Sequence, residues 1–283
     1  MLGKLIKHEW KNTYKVSGLI LIFVAAFTLL GCISLRMPLI HSAMSDTNYS
    51  SAFSILDAMG IMSLILYMLT LMGATYGIMI YLGVHFYKSM YTDEGYLTHT
   101  LPVSTHQLLI SKILVSGIWM MIVMVAIFVS VVALGYAFLC MYLPATPAEI
   151  TKELGELIVR VMEELPGEYG MGLAHVLITF TLLILVSPFS SIIMLFGAIT
   201  IGQLFTKYRA MMAIVSYIGI CVINMVISSL IQIPITMGYI MRMNDPAGYY
   251  MRTYDVSIFM AICMGALLYF LSHFILSKKF NME

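Results

Sequence analysis

Long apolar stretches alternate with short polar segments along the 283 residues of this chain. A helix needs about 20 apolar residues to cross a bilayer core of about 30 Å. Stretches of that order or longer, each without Asp, Glu, Lys or Arg, occur at Ser17 to Leu35, Ala58 to Val84, Ile113 to Leu143, Gly172 to Thr206, Ala210 to Met241 and Val256 to Ser277. The pattern therefore predicts an all-α polytopic membrane protein with six transmembrane helices.

Composition supports this class, because 61% hydrophobic and 10% charged residues leave too little polar surface for a soluble protein of this size. A lipoprotein is the alternative, since an apolar run that follows a basic start ends in Gly31 and Cys32. The bulky Leu30 before Gly31 disfavours such a signal. All four cysteines lie inside predicted spans, so the sequence supports neither a disulfide framework nor a zinc site.

The distribution of Lys and Arg sets the expected orientation, because these residues are enriched on cytoplasmic flanks. With the N-terminus inside, the inner segments hold ten of them and the outer segments five. Both termini are therefore expected in the cytoplasm. The positive charges are dispersed, so nothing predicts binding to nucleic acid, which needs a concentrated basic patch.

Residues 1–16 predict an amphipathic helix on the inner membrane face, because apolar side chains recur every fourth residue and lysines follow on the adjacent stripe. The apolar positions are Leu2, Ile6, Trp10 and Tyr14, and the lysines are Lys7, Lys11 and Lys15. The alternative is a solvated start whose positive charge only anchors the first span. Residues 17–283 then form the transmembrane domain.

A polar island from His85 to Lys112 separates the second and third windows, whose 27 and 31 residues exceed the bilayer. Either these helices tilt or they protrude into the cytoplasm on both sides of the island. The turn signal Asp93-Glu94-Gly95 and the helix stop at Leu101-Pro102 lie within it. Ser104 and Gln107 have capping-box spacing, which predicts that the next helix begins there. The island is therefore expected to form helix, elbow and helix.

Two further segments carry structural signals. Residues 148–168 alternate apolar and glutamate positions at helical spacing, which predicts an amphipathic outer helix. This helix could lie on the membrane, cap a pathway or contact a second subunit. Pro188 predicts a kink in the fourth span, and Pro234 predicts a kink that breaks the fifth, leaving a helix over 210–233 and a short piece over 235–243.

Catalytic signatures are missing from the sequence. It contains no Walker phosphate loop, nucleophile elbow, paired-histidine zinc motif or dinucleotide fingerprint. We therefore expect no catalytic residue, metal or cofactor in this chain. The histidines of the island, His85, His99 and His106, are interpreted as ordinary polar residues.

The span interiors lack ionisable residues, which disfavours an ion-coupled carrier. Asp57 near the outer end of the second span is interpreted as a helix-start residue. The uncharged polar residues of the fifth span are predicted to form interhelical hydrogen bonds; they are Asn224, Ser228, Ser229 and Gln232. Any driving force must therefore come from elsewhere, or the protein does not pump.

The island also carries a family resemblance. Its runs Phe86-Tyr87-Lys88-Ser89-Met90-Tyr91, Asp93-Glu94-Gly95-Tyr96-Leu97-Thr98, Leu101-Pro102-Val103 and Ser111-Lys112 resemble the first cytoplasmic loop of ABC transporter type-2 permeases from Gram-positive bacteria. These are membrane subunits of exporters whose ATPase is a separate polypeptide. The basic start and the six spans extend the resemblance over nearly the whole chain.

The resemblance implies a permease subunit in a bacterial cytoplasmic membrane, paired with an identical or different second permease. Each permease would be held by an ABC ATP-binding subunit, which carries the ATP and Mg²⁺. The island, residues 85–112, would be the coupling loop, with contacts at Tyr87, Lys88, Tyr91, Asp93, Glu94 and Tyr96. In the family, re-entrant outer elements join the fifth and sixth spans, and the break predicted at Pro234 is consistent with them.

The cargo is suggested only by composition. Twenty-six methionines and 18 tyrosines favour adaptable apolar surfaces, which would suit hydrophobic or amphipathic peptides such as toxins or antimicrobial peptides. Methionine is equally ordinary lipid-facing filler. The alternatives are a non-transporting sensor or immunity protein, a permease for ions or drugs, and a secondary carrier. Gly73 and Gly77 have a spacing that allows close helix packing, within the subunit or across a dimer.

Overall fold

A computed structural model of the chain describes residues 2–35, 55–92, 103–143, 146–169, 173–205, 207–242 and 246–278. Within these ranges the structure is all-helical, with no β-strand. Its helices are α1 (Leu2–Ser34), α2 (Ile55–Tyr91), α3 (Thr105–Tyr142), α4 (Pro147–Tyr169), α5 (Leu173–Gly202), α6 (Arg209–Arg242) and α7 (Pro246–Lys278). All of them except α4 are long and apolar enough to cross a membrane. The predicted set of six spans is thus confirmed at the level of length and composition.

The distribution of apolar and polar side chains between surface and interior is typical of a membrane protein. Large apolar residues such as Ile22, Phe128 and Phe270 are about 70% exposed, and a bilayer is the solvent that favours such a surface. The buried face of α1 is instead rich in polar residues, which are Glu9, Thr13, Ser17, Thr28 and Ser34. Residues of this kind in a membrane helix face the protein interior, where they find partners.

The structure can be compared with the sequence predictions for residues 1–16 and for the end of the fifth span. α1 is one unbroken helix from Leu2 to Ser34, so residues 1–16 are helical as expected, and their position along the membrane face stays a prediction. The predicted end of the fifth span at Ile233 is wrong, because α6 continues through Pro234 to Arg242. A proline inside a membrane helix is tolerated when neighbouring groups satisfy the freed carbonyl. The kinks at Pro188 and Pro234 stay predictions.

The amphipathic helix expected over 148–168 is confirmed as α4. Its first turn is capped reciprocally: the N–H of Thr146 donates to the Glu149 carboxylate at 2.8 Å, and the N–H of Glu149 donates to the Thr146 hydroxyl at 3.3 Å. This capping box satisfies two backbone donors that the helix leaves free. The backbone hydrogen bond holds the pKa of the exposed Glu149 carboxyl below its ordinary value. The side of the membrane on which α4 lies stays a prediction.

The chain divides into two compact units. The first comprises residues 1–12, 80–121 and 162–283. In it α5 packs against both α6 and α7, and Ala198, Ile220 and Leu268 form a buried cluster. Gly197 permits the contact with α7, since a Cβ there would lie 3.2 Å from Leu268.

The second unit comprises residues 13–79 and 122–161. Its core contains a chain of hydroxyls in which Ser130 lies 2.6 Å from Thr28 and 3.0 Å from Tyr67. Gly31 allows α1 to approach closely, since a Cβ there would meet the side chains of Leu134 and Tyr67. By contrast, a Cβ at Gly73 or Gly77 would meet nothing within 4 Å. The two glycines therefore mediate no close helix contact within the described part of this subunit.

Candidate functional site

The polar island is flanked by two ordered helix ends. α2 ends at Tyr91 and α3 begins at Thr105. The N–H of Gln107 donates to the hydroxyl of Ser104 at 3.3 Å, which confirms Ser104 as the predicted N-cap. Three predicted ATPase contacts, at Asp93, Glu94 and Tyr96, lie outside the described residues.

A buried ionic network lies at the base of these two helix ends. Glu9 of α1 accepts a hydrogen bond of 2.5 Å from the ammonium of Lys112 in α3, and its other oxygen lies 3.0 Å from Nε2 of His85 in α2. The ammonium of Lys112 also donates to the hydroxyl of Ser89 at 2.8 Å. One carboxylate thus connects three helices. We call Glu9, His85, Ser89 and Lys112 the ionic network.

The burial of the ionic network makes its charge pairing important for the stability of the fold. Lys112 is only 3% exposed and Glu9 only 9%. A buried charge must be paired, because removing it from water costs several kcal/mol that only well-placed partners offset. Loss of either charge removes the main charged partner of the other, which costs about 3–5 kcal/mol in comparable buried pairs. The network therefore fixes the relative positions of α1, α2 and α3 at this level.

Aromatic contacts reinforce the junction between α1 and α3. The ring of Trp10 stacks on that of Trp119, with centroids 4.6 Å apart and an interplanar angle of 23°. Trp119 is buried, whereas Trp10 stays partly exposed. One face of the predicted interfacial tryptophan is thus used inside the protein. Lys7 and Lys11 are exposed, as a lysine stripe that faces solvent or headgroups requires.

The last turns of α2 are fixed to α5. Phe86 stacks on Phe196 with centroids 3.9 Å apart and an interplanar angle of 8°, and both rings are almost fully buried. One turn further, the hydroxyl of Tyr91 donates to that of Thr200 at 2.9 Å. Gly83 allows this approach, since a Cβ there would lie 3.1 Å from Leu195. The end of α2 that enters the island is therefore held firmly.

The predicted contact residues on α2 differ in their surroundings. Lys88 is exposed, and Tyr87 is half-buried with its ring 6.2 Å from that of Tyr91. The hydroxyl of Tyr91 is already engaged by Thr200, and its ring meets the edge of Phe86. Lys88 is thus the residue of the three best placed to meet another protein, and Tyr91 packs inward.

Sequence reasoning missed the ionic network. It used Lys112 as a positive charge on an inner flank and as part of the family resemblance, interpreted His85 as an ordinary polar residue, and gave Glu9 no role. One signal was present: Glu9 is the sole acidic residue among the first sixteen. Its partners lie 76 and 103 residues away along the chain, so the pairing is visible only once the helices are side by side.

A further histidine of the island has a partner in α7. Nδ1 of His106 lies 2.8 Å from the hydroxyl of Tyr269, and the ring centroid of His106 is 5.8 Å from that of His273. Over the described ranges, no three His, Cys, Asp or Glu side chains lie close enough together to hold a metal ion. The contacts of His106 therefore connect the start of α3 to α7.

Comparison with other proteins leaves the function to be argued from the chain itself: no protein-family model matches the sequence, no curated protein matches it, and no solved structure matches its fold.

Proposed function

We propose that this chain is the transmembrane subunit of an ATP-driven exporter, and that its polar island docks onto a separate ATP-binding subunit. The observation that carries the proposal is the construction of the two helices on either side of the island. α2 has 37 residues and α3 has 38, so each is about 55 Å long, against a bilayer core of about 30 Å. Both therefore extend beyond the membrane, and their ends border the same polar segment.

The ionic network supports the proposed coupling. Closure of two ATPase subunits can move a membrane helix only if the docked segment is mechanically continuous with it. The pairing of Glu9 with Lys112 and the stack of Phe86 on Phe196 give the island a stiff base. Force applied at the island would then tilt α2 and α3 as rods instead of being absorbed locally.

The residues of the docking surface follow from exposure. Lys88 is assigned a direct contact with the ATPase, together with Tyr87 and, from the sequence alone, Asp93, Glu94 and Tyr96. Tyr91 is assigned a positioning role because its hydroxyl bonds Thr200. ATP and Mg²⁺ bind to the ATPase, and this chain itself is not an enzyme.

The remaining parts of the proposal rest on the family resemblance. The chain would work as a dimer of permeases in a bacterial cytoplasmic membrane, with both termini in the cytoplasm. Its cargo would be a hydrophobic or amphipathic peptide.

The test is ATP hydrolysis by the partner ATPase in the presence of this chain. We expect the Asp93→Asn/Glu94→Gln variant to reduce hydrolysis to the rate of the ATPase alone, while insertion into the membrane is unchanged. Glu153→Gln/Glu156→Gln is the matched control, because it also removes two negative charges but from the exposed surface of α4. It should leave the stimulation intact.

Two results would contradict the proposal. One is full stimulation by the island variant. The other is uphill solute transport by vesicles that contain this polypeptide and no ATPase, since this would require a driving force other than ATP hydrolysis by a partner.

A further inference from the structure

A polar cavity lies halfway along α5, α6 and α7 in the first unit. Its volume is about 350 Å³, and its polar lining consists of Ser187, Ser190 and Ser191 of α5, Asn224 and Ser228 of α6, and Ser257 of α7. Asn224 is near the midpoint of α6 and Ser187 near that of α5. The cavity therefore lies at the depth of the bilayer centre if these helices span the membrane.

The lining groups differ in whether their hydrogen bonds are made. The hydroxyl of Ser191 donates to the carbonyl of Ser187, and that of Ser257 to the carbonyl of Thr253. Within the described residues, the hydroxyl of Ser187 has no hydrogen-bond partner, and neither have the amide of Asn224 and the hydroxyl of Ser228 on α6. The expectation that these two bond between helices is therefore not met there. Ser229, their neighbour, bonds the carbonyl of Met225 in its own helix.

Placement makes the two unpaired groups of α6 significant. Asn224 and Ser228 are four residues apart, so they share one face of α6, and both line the cavity. Hydrocarbon offers no hydrogen bonds, so an unpaired amide at this depth is costly. A ligand that supplies the missing partners recovers that cost.

The rest of the lining defines the chemistry of such a ligand. Among the described residues, no Asp, Glu, Lys, Arg or His lines the cavity, and its apolar wall includes Met194, Met260 and Met264. Methionine side chains adapt to varied apolar shapes. An amide offers both donors and an acceptor, so it can bind a hydroxyl or an amide equally well. The volume is at the lower end of the range of about 300–1,000 Å³ typical of small-molecule pockets.

We propose that this cavity binds an uncharged amphipathic molecule, an apolar chain that carries a hydroxyl or amide group, which enters from the bilayer. Asn224 and Ser228 bind the polar group, and the methionines enclose the chain. Both polar residues are half-buried, so the cavity is open to its surroundings. The inference does not rest on the proposed export function, because it needs no ATPase.

Two other surface cavities provide internal controls. One of about 480 Å³ between α5 and α7 is lined almost wholly by apolar side chains, among them Phe189 and Phe270. The other, of about 390 Å³ in the second unit, is lined only by apolar residues of α2 between Ile61 and Met72. Lipid chains that coat the protein nonspecifically have no reason to prefer the polar cavity over these two.

The experiment uses a monoacylglycerol with a diazirine in its acyl chain, added to the full-length protein in nanodiscs and crosslinked by light. We expect saturable labelling, assigned to single residues by fragmentation of the labelled peptides, at Met194, Met260 or Met264 of the polar cavity and not at Phe189, Ile262 or Phe270 of the apolar cavity beside it, and this labelling should be competed by unlabelled monoacylglycerol. Asn224→Leu and Ser228→Ala should each raise the half-saturating concentration about five- to tenfold, the loss expected for one hydrogen bond. The corresponding fatty acid, which is charged at neutral pH, should compete poorly.

Ser229→Ala is the matched control, because it removes a hydroxyl from the next position of the same helix, and it should label like the wild type. Ser228→Phe places a ring in the cavity, so it should abolish the labelling. It therefore tests the site even where the smaller substitutions have small effects. Equal labelling of the two apolar cavities, or unchanged labelling in Asn224→Leu and Ser228→Phe, would overturn the proposal. Because the ATPase is absent throughout, this outcome is distinct from a failure of the proposed export function.

Discussion

The first unit contains two polar clusters that differ in charge and in pairing. In the ionic network, Glu9 and Lys112 are charged, almost fully buried and bonded to each other. In the cavity between α5, α6 and α7 the lining is uncharged, and within the described residues Asn224 and Ser228 lack partners. A paired cluster holds helices in place, whereas an unpaired one has binding capacity left for a ligand.

The physical basis of this difference is the low dielectric of a membrane protein. A charge in that environment cannot be left without a partner, since its desolvation costs several kcal/mol. An unpaired amide or hydroxyl costs less, about 1–3 kcal/mol. Such a group can be retained where a bound ligand supplies the missing hydrogen bond. Four predictions follow, from the largest expected effect to the smallest, and those on Lys112 and Asn224 test this contrast directly.

The largest effect is expected for Lys112→Met, which removes the cation bonded to the buried Glu9 carboxylate and leaves His85 beside its other oxygen. We expect a loss of about 3–5 kcal/mol in the free energy of unfolding. Unfolding in nanodiscs can be followed by the fluorescence of Trp10 and Trp119, which stack beside the network. Lys88→Met is the matched control, because Lys88 is exposed.

The double variant Glu9→Gln/Lys112→Met sharpens the same test. Removal of both charges should restore part of the stability lost by Lys112→Met alone, because no uncompensated charge is left. Equal stability of Lys112→Met and Lys88→Met would show that the network does not hold the helices.

A smaller effect is expected for Tyr91→Phe, which removes the hydroxyl that donates to Thr200. We expect a loss of about 1 kcal/mol in stability and little change in the stimulation of the partner ATPase. Lys88→Glu should behave in the opposite way, with unchanged stability and weakened stimulation. Thermal unfolding and ATP hydrolysis, measured on both variants, separate a positioning residue from a docking residue.

Asn224→Leu tests the contrast most directly. Because its amide has no partner among the described residues, its replacement by a leucine of similar size should change stability by less than about 0.5 kcal/mol, or raise it. Binding of the monoacylglycerol probe should weaken in the same variant. A destabilisation as large as that of Lys112→Met would mean that Asn224 is a structural hydrogen bonder, and the two clusters would no longer differ.

The smallest effect is expected at an exposed carboxylate. The pKa of Glu149 is lowered by the backbone N–H of Thr146, so the capping bond stabilises α4 above the ordinary carboxyl pKa and is lost as the pH falls through the lower, folded value. The protection factors of the amides in the first turn of α4, in which the exchange rates are corrected for the intrinsic effect of pH, should therefore decrease at acidic pH. Glu149→Gln should weaken this pH dependence, whereas Glu153→Gln should preserve it.

Particular residues show where sequence reasoning succeeded. The N-cap at Ser104 and the helix at 148–168 were predictable because capping and amphipathic periodicity are local signals. The end of α6 was mispredicted at Pro234, since a local rule for proline was applied where the helix continues. The contacts expected at Asp93, Glu94 and Tyr96 lie outside the described residues and stay predictions.

The sequence by itself determined the all-helical class and the six membrane-length helices, because helix length and hydropathy are set by consecutive residues in a solvent of fixed thickness. Only the tertiary structure decided which polar groups find partners. Glu9, His85 and Lys112 meet because three helices lie side by side, whereas Asn224 and Ser228 face a cavity. Pairing depends on distances across helices, which no local pattern encodes.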